Sequence, residues 1–195
     1  MKSAENPDTL SATEVRALKT CARRGSVPSY MSHVGIFAAD GLAVWCTTDG
    51  TRLAMVAKPT DPSQPARALV FPIGALQKGA AYNHGTVVAC GEIMPIDGLE
   101  FPKIHKLFPS ALVAKVGGKH AVLDPNILSG IFPAGLKPEH FAAIEASATD
   151  LVIVWTEDLP NIWVLVMPVG HDAGGKHEEH LPVLSAIAAT FGEKI

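Results

Sequence analysis

Apolar and polar residues alternate along this chain in short segments, which predicts many strands and few helices. Ser11 and Glu14 form a capping box, and apolar residues follow at helical spacing, so we predict an amphipathic helix over residues 11–24. Three strand-like segments come next, with Ala39-Asp40-Gly41 as a hairpin turn between the first two. These strands are predicted at residues 34–38, 42–46 and 52–56. The first unit is therefore a helix followed by three strands.

A second unit has a similar order. Residues 68–71 predict a short strand, and Pro72 is placed to open a helix of about three turns with Leu76 inward and Lys78 outward. Residues 86–90 and 93–94 are strand-like. The order resembles that of the first unit, as in a diverged structural repeat.

The remainder of the chain follows an irregular, proline-bounded segment that we interpret as an interdomain connector. Strands are predicted beyond it at residues 111–116, 120–123, 141–146, 151–155 and 163–167. A helix is expected to start at Asp124, residues 170–180 to form a loop, and residues 181–191 to form a last amphipathic helix. The expected organisation is a first domain at 1–101, a connector at 102–109, a shortened second domain at 110–169, and a loop and helix at 170–195.

Three short motifs within this frame resemble the bacterial DNA polymerase III beta sliding clamp family, the ring that tethers polymerase to DNA. Residues 47–54 (TTDGTRLA) are similar to the family's A-T-D-G-x-R-L-A turn. Residues 96–102 (IDGLEFP), followed by residues 103–109, resemble its connector, and residues 164–169 (VLVMPV) resemble the end of its last strand. The resemblance covers roughly residues 11–169.

The resemblance implies an α+β, DNA-clamp-like fold of two small domains, with helices lining an inner face backed by antiparallel sheets. It also implies a hydrophobic cleft that captures short peptides of DNA polymerases and of the clamp loader. Carried over by position, the cleft residues are Thr48, Arg52, Leu53, Pro102, Leu107, Leu165, Met167 and Pro168. Apolar, adaptable side chains suit leucine and aromatic anchors, and Arg52 suits a peptide carbonyl or carboxylate. Taken singly, Leu53, Leu165 and Met167 also fit ordinary core positions.

The chain departs from that family in length. It has 195 residues, about half of a three-domain clamp chain, and from this reduced size we expect a phage or mobile-element protein. The helix at 181–191 either replaces a missing helix of the second domain or covers the peptide cleft. Six domains form a ring in this fold family, so two domains per chain imply a homo-trimer, which we prefer to a tetramer.

The charge balance of the chain bears on whether it binds DNA. Sixteen Lys and Arg against 19 Asp and Glu give a net charge of -3, which taken alone argues against a nucleic-acid binder. A clamp, however, needs only local positive charge against the phosphates of duplex DNA, without reading its sequence. The expected DNA-facing feature is a basic stripe on the first helix, where Arg16, Lys19 and Arg23 lie at positions i, i+3 and i+7. Arg24 is adjacent to this stripe, and Lys78 is a weaker DNA-facing candidate. An ordinary solvated helix face is the competing interpretation of this stripe.

Other chemistry finds little support. The three cysteines make neither a disulfide framework nor a zinc pair, and His177 and His180 lack the spacing of a metal-binding helix. No phosphate loop or catalytic motif is present, so we expect no metal, no cofactor and no enzymatic activity. No apolar run of about 20 residues occurs, and we expect a cytoplasmic protein without membrane contact. Two alternatives stay open: a clamp-like module that competes for peptides without closing a ring, and an enzyme on a sheet-rich α+β fold.

Overall fold

The computed structural model describes part of the chain. The described residues are 8–23, 29–63, 67–83, 86–88, 92–93, 101–102, 113–116, 121–122, 131, 141–144, 152–154, 159, 161–166, 170–171 and 178–180. They form one α-helix, α1 (Ala12–Thr20), and two short 3-10 helices, Ser29–Ser32 and Ile73–Ala75. The strands are β1 (His33–Ala39), β2 (Leu42–Thr48), β3 (Arg52–Pro59), β4 (Arg67–Pro72), β5 (Ala81–Asn83), β6 (Thr86–Val88), β7 (Glu92–Ile93), β8 (Val113–Val116), β9 (Ala121–Val122), β10 (Phe141–Ile144), β11 (Val152–Val154), β12 (Ile162–Val166), β13 (Gly170–His171) and β14 (Glu178–His180).

Nine of these strands form one antiparallel sheet in the order β14-β8-β10-β11-β12-β3-β2-β1-β4. The strands before residue 73 and those after residue 112 meet at its centre, where β3 pairs with β12. A three-stranded sheet, β5-β6-β7, and a two-stranded sheet, β13-β9, complete the described strands. The fold is therefore mostly antiparallel sheet with one described α-helix, as the α+β expectation requires.

Helix α1 begins as predicted and ends earlier. Ser11 caps it: the Ser11 hydroxyl accepts from the Glu14 N–H, and the Glu14 carboxylate accepts from the Ser11 N–H. The helix stops at Thr20, so the prediction that it extends to residue 24 is wrong. The physical reason is a change of partner, because the Arg23 N–H donates to the Met31 carbonyl at 2.8 Å and not to a carbonyl of the helix.

The two faces of the nine-stranded sheet carry different sets of side chains, because alternate residues of a strand point to opposite faces. We call one the core face; it contributes Ile36, Trp45, Ala54 and Val164 to the main hydrophobic core. Val15, Ala17 and Leu18 of α1 pack into the same core, as do Leu76, Tyr82 and Val87 beyond β4. We call the other the far face; it carries Phe37, Cys46, Met55, Trp163 and Leu165, which are also buried.

The hairpin between β1 and β2 matches its prediction. Ala39 pairs with Leu42, and the two residues between them, Asp40 and Gly41, have φ values of 49° and 81°. Positive φ at both central positions defines the type I′ turn, whose twist suits adjacent strands. The Asp-Gly pair therefore sets the register of the first two strands.

Two other predictions are wrong. The helix of about three turns expected from Pro72 is one 3-10 turn, Ile73–Ala75, because the backbone returns to an extended conformation at Leu76. Leu76 is nonetheless buried and Lys78 exposed, as predicted. The predicted loop at 170–180 contains β13 and β14. The helices expected from Asp124 and at 181–191 lie outside the described residues.

Candidate peptide cleft and DNA-facing helix

The first and third motifs of the sequence meet at the centre of the sheet. Leu53 of β3 lies opposite Thr48 of β2 on one side and opposite Leu165 of β12 on the other. Directly opposed residues in an antiparallel pair share a face, so these three side chains form one row on the far face. Leu53 is 5% exposed and Leu165 is 1% exposed, which makes this row a buried floor and not an open surface.

The turn that joins β2 to β3 is held by its own side chains. The Asp49 carboxylate accepts hydrogen bonds from the Thr51 N–H, the Thr51 hydroxyl and the Arg52 N–H. The Thr48 hydroxyl donates to the Arg52 carbonyl and accepts from the Gly50 N–H. Gly50 has a φ of 90°, a conformation that favours glycine. These contacts explain why this turn uses Thr, Asp and Gly in that order.

Asp49 is charged under ordinary conditions for a clear physical reason. Partial burial acts to raise the pKa of its carboxyl group, but the hydrogen bonds from Thr51 and Arg52 outweigh this effect. The pKa of Asp49 therefore lies below its ordinary value of 3.8. The resulting carboxylate pairs with the Arg52 guanidinium, with 2.8 Å between Nε and Oδ2.

Arg52 lies on the side of the sheet that faces α1. Besides its ion pair with Asp49, its Nη2 donates to the Thr20 carbonyl at 3.0 Å. Arg52 and Leu53 are consecutive strand residues and so point to opposite faces. The structure thus separates the Arg52 side chain from the Leu53–Leu165 row, and its role as a peptide contact stays a prediction.

The connector motif reaches the far face through Phe101. The Phe101 ring packs edge-on against Phe37 with ring centroids 6.0 Å apart. It also lies on the backbone of Gly35, where an added Cβ would come within 2.7 Å of the ring. Pro102 is exposed. The far face thus carries Phe101 as well as the Leu53–Leu165 row, while Leu107, Met167 and Pro168 lie outside the described residues.

Helix α1 presents a basic side away from the core. Val15 and Leu18 are buried, whereas Arg16 and Lys19 are exposed and three residues apart, so the two basic side chains share one face of the helix. Arg23 is exposed but lies beyond the helix end, so the predicted three-residue helical stripe is wrong at this position. Lys78 is exposed as well. Arg24 lies outside the described residues.

Two contacts that sequence analysis missed fix α1 to the sheet. The Thr47 hydroxyl, fully buried, donates to the Leu18 carbonyl at 2.7 Å. Lys58 of β3 forms an ion pair with Glu14, with 2.8 Å between Nζ and Oε1 and both side chains less than 8% exposed. A lysine within a run of apolar strand residues was the available signal for the second contact, because a buried lysine needs a partner.

The remaining chemistry of the described residues is sparse. Burial raises the pKa of the Cys21 thiol to about 12 and that of Cys46 well above 9.0, so both thiols stay protonated. Among the described side chains, no three of the His, Cys, Asp and Glu type lie together as a metal site would require. Within the same part of the chain, no helix has the length and apolar character to cross a membrane.

Comparisons with known proteins give a consistent answer at the level of structure. The sequence matches no model of a known protein family, and no curated protein is similar to it in sequence. The fold is similar to a sliding clamp of Pseudomonas aeruginosa solved with griselimycin, at 15% identity and a TM-score of 0.52 over 87% of this chain and 68% of that one.

Two further clamps agree. The DNA polymerase III beta subunit of Thermotoga maritima is 11% identical, with a TM-score of 0.51 over 87% of this chain and 67% of that one. The Helicobacter pylori beta clamp bound to a DNA ligase peptide is 10% identical, with a TM-score of 0.51 over 87% of this chain and 68% of that one. The prediction of no enzymatic activity stays a prediction. The chain therefore has a clamp-like fold, similar to that of the bacterial DNA polymerase III beta sliding clamp.

Proposed function

We propose that this chain is a sliding-clamp-like processivity factor that encircles duplex DNA and binds partner peptides in a hydrophobic cleft. The observation that carries the proposal is the pairing of Leu53 with Leu165. These residues belong to two motifs more than 100 positions apart in the sequence, and the family that both motifs resemble uses them in its peptide cleft. A tether of this kind works by raising the local concentration of a polymerase at its DNA end, without catalysis.

The peptide cleft is proposed to lie over the far-face row. Thr48, Leu53 and Leu165 form its floor, and Phe101 anchors the start of the connector to the same face. The proposed walls are Pro102, Leu107, Met167 and Pro168, whose apolar side chains suit leucine and aromatic anchors. A DNA ligase peptide is bound by the Helicobacter pylori clamp of the same fold, and peptides of a polymerase and a clamp loader are the partners proposed here.

Duplex DNA is proposed to face α1. The helix packs its apolar side on the sheet and turns Arg16 and Lys19 outward, which is the orientation that contact with phosphates requires. The chain has a net charge of -3, so positive charge confined to one side of α1 would hold the duplex inside a ring without binding it tightly. The proposal also includes two domains per chain, at 1–101 and 110–169, with helices lining the inner face of the ring. The ring itself is proposed to be a cytoplasmic homo-trimer.

The decisive experiment measures the mass of the protein in solution and its retention on DNA. We expect a trimer that stays on covalently closed circular duplex DNA and leaves when the circle is linearised. A protein that binds the DNA ligase peptide as a monomer and never stays on circular DNA would contradict the ring and favour the competing module. A protein that binds neither would contradict both the ring and the module.

Variants test the two proposed surfaces separately. Leu53→Ala together with Met167→Ala should abolish binding of the ligase peptide in fluorescence anisotropy and leave the oligomeric mass unchanged. Leu69→Ala is the matched control, because Leu69 is 6% exposed but lies on the core face at the far edge of the sheet. Arg16→Glu with Lys19→Glu should weaken DNA association and flatten its dependence on salt, by about one unit of slope for each phosphate that is no longer neutralised.

A further inference from the structure

The end of β2 and the start of β3, on either side of the turn that joins them, hold the C-terminal end of α1. The last carbonyls of an α-helix have no partner within the helix and need one elsewhere. Thr47 donates to the Leu18 carbonyl at 2.7 Å, and Arg52 donates to the Thr20 carbonyl at 3.0 Å. Lys19 lies between these two held residues, on the side of the helix that faces away from the sheet.

Arg52 is itself held in a fixed orientation. The Asp49 carboxylate binds its Nε at 2.8 Å, and the same carboxylate is fixed by the backbone and hydroxyl of Thr51. A guanidinium is planar and rigid, so an ion pair at Nε fixes the direction in which Nη2 points. The ion pair with Asp49 therefore directs Arg52, the first residue of β3, toward the Thr20 carbonyl.

We propose that Arg52 is a positioning residue for the DNA-facing helix and acts through its hydrogen bond to the Thr20 carbonyl. Thr47 assists it through the hydrogen bond to the Leu18 carbonyl. The inference rests on the DNA-binding half of the proposed function and changes the role of Arg52, which the family resemblance assigns to the peptide cleft. The hydrogen bonds keep the last turn of α1 wound and keep Lys19 on the same face as Arg16. Two aligned cations make two simultaneous phosphate contacts, whereas a frayed last turn leaves one.

The experiment measures binding of a short duplex DNA between about 50 and 200 mM salt, the range over which phosphate contacts dominate affinity. Arg52→Lys keeps the charge, but an ammonium group cannot bond Asp49 and Thr20 in the planar fork geometry. Thr47→Val changes no charge and removes only the hydroxyl that holds Leu18. We expect each variant to lower DNA affinity about fivefold, the lower end of the range for coupled sites, and to reduce the salt slope. The slope should fall by about 0.9, one phosphate contact.

Gly35→Ala is the matched control for general destabilisation. It perturbs the far face against Phe101, away from α1, so its DNA salt slope should equal that of the wild-type protein. Unchanged slopes in both Arg52→Lys and Thr47→Val would overturn the proposal, as would a loss of ligase-peptide affinity in Arg52→Lys with DNA binding intact. A different result would contradict the proposed DNA-binding function itself: equal DNA affinity of the wild-type protein and the Arg16→Glu, Lys19→Glu variant.

Discussion

The ion pair between Glu14 and Lys58 gives the sharpest stability prediction. Lys58→Met keeps the length of the side chain on β3 and removes its charge, so the Glu14 carboxylate loses a partner at 2.8 Å while both positions stay buried. The Coulomb energy of two charges at that distance is about 6 kcal/mol at an effective dielectric constant of about 20, before desolvation is subtracted. Breaking a buried pair on one side costs about 3–5 kcal/mol.

We expect Lys58→Met to lose about 3 kcal/mol of unfolding free energy, the lower end of that range. The reason is that Glu14 keeps the hydrogen bond from the Ser11 N–H, at 2.6 Å, as a second partner. For a chain of this size the loss lowers the melting temperature by about 6–12 °C. Urea unfolding followed by circular dichroism measures the free energy directly, and an unchanged denaturant slope shows that the folded state has kept its compactness.

The double variant Glu14→Gln with Lys58→Met tests the cause. It removes both charges, so no uncompensated carboxylate remains, and the amide oxygen introduced by Glu14→Gln can still accept from the Ser11 N–H. We expect the stability of the double variant to lie within about 1 kcal/mol of wild type. Lys78→Met is the control, because Lys78 is exposed, and it should change stability by less than about 0.5 kcal/mol. A double variant as unstable as Lys58→Met alone would refute the reasoning, and so would a near-neutral Lys58→Met.

Other contacts support three further predictions. Because the pKa of Asp49 is held below 3.8, its contribution to stability is present above that value and is lost as the pH falls through the folded-state pKa; Asp49→Asn should flatten an acid-unfolding curve below about pH 4. Gly35→Ala should cost about 1–3 kcal/mol in urea unfolding by overpacking against Phe101, and Phe101→Leu in the same chain should recover part of it. Replacing the third cysteine, Cys90→Ser, leaves only the buried thiols of Cys21 and Cys46, which should resist a thiol reagent at neutral pH until denaturant is added. Rapid reaction of the native variant would contradict their burial.

The sequence predicted local structure well where local chemistry decides it. The capping box at Ser11 and Glu14 and the Asp40-Gly41 turn are short-range signals, and both are present in the structure. The end of α1 could not be predicted, because it depends on a carbonyl of Met31 that competes for the Arg23 N–H. Pro72 is compatible with a helix start, but nothing local shows that the backbone becomes extended again at residue 76.

The candidate site shows the same division. Motif resemblance grouped Leu53 with Leu165, and the register of β3 and β12 places them opposite each other. The same resemblance grouped Arg52 with them, although strand alternation turns that side chain toward α1. Thr47 and Lys58 were not identified, since their roles depend on which helix packs over the sheet. Long-range partners of this kind are set by tertiary packing and leave only a weak trace in the sequence.

The pairing of β3 with β12 also has a consequence for biosynthesis. Arg52 and Val166 are paired across the sheet, so β3 leaves the ribosome long before the strand that covers its second edge. Until then, an apolar strand with unpaired N–H and C=O groups is exposed, which is the kind of edge that recruits another copy of the same chain. A fragment that ends before β12 should therefore aggregate, and the C-terminal half of the chain protects the N-terminal half as well as completing it.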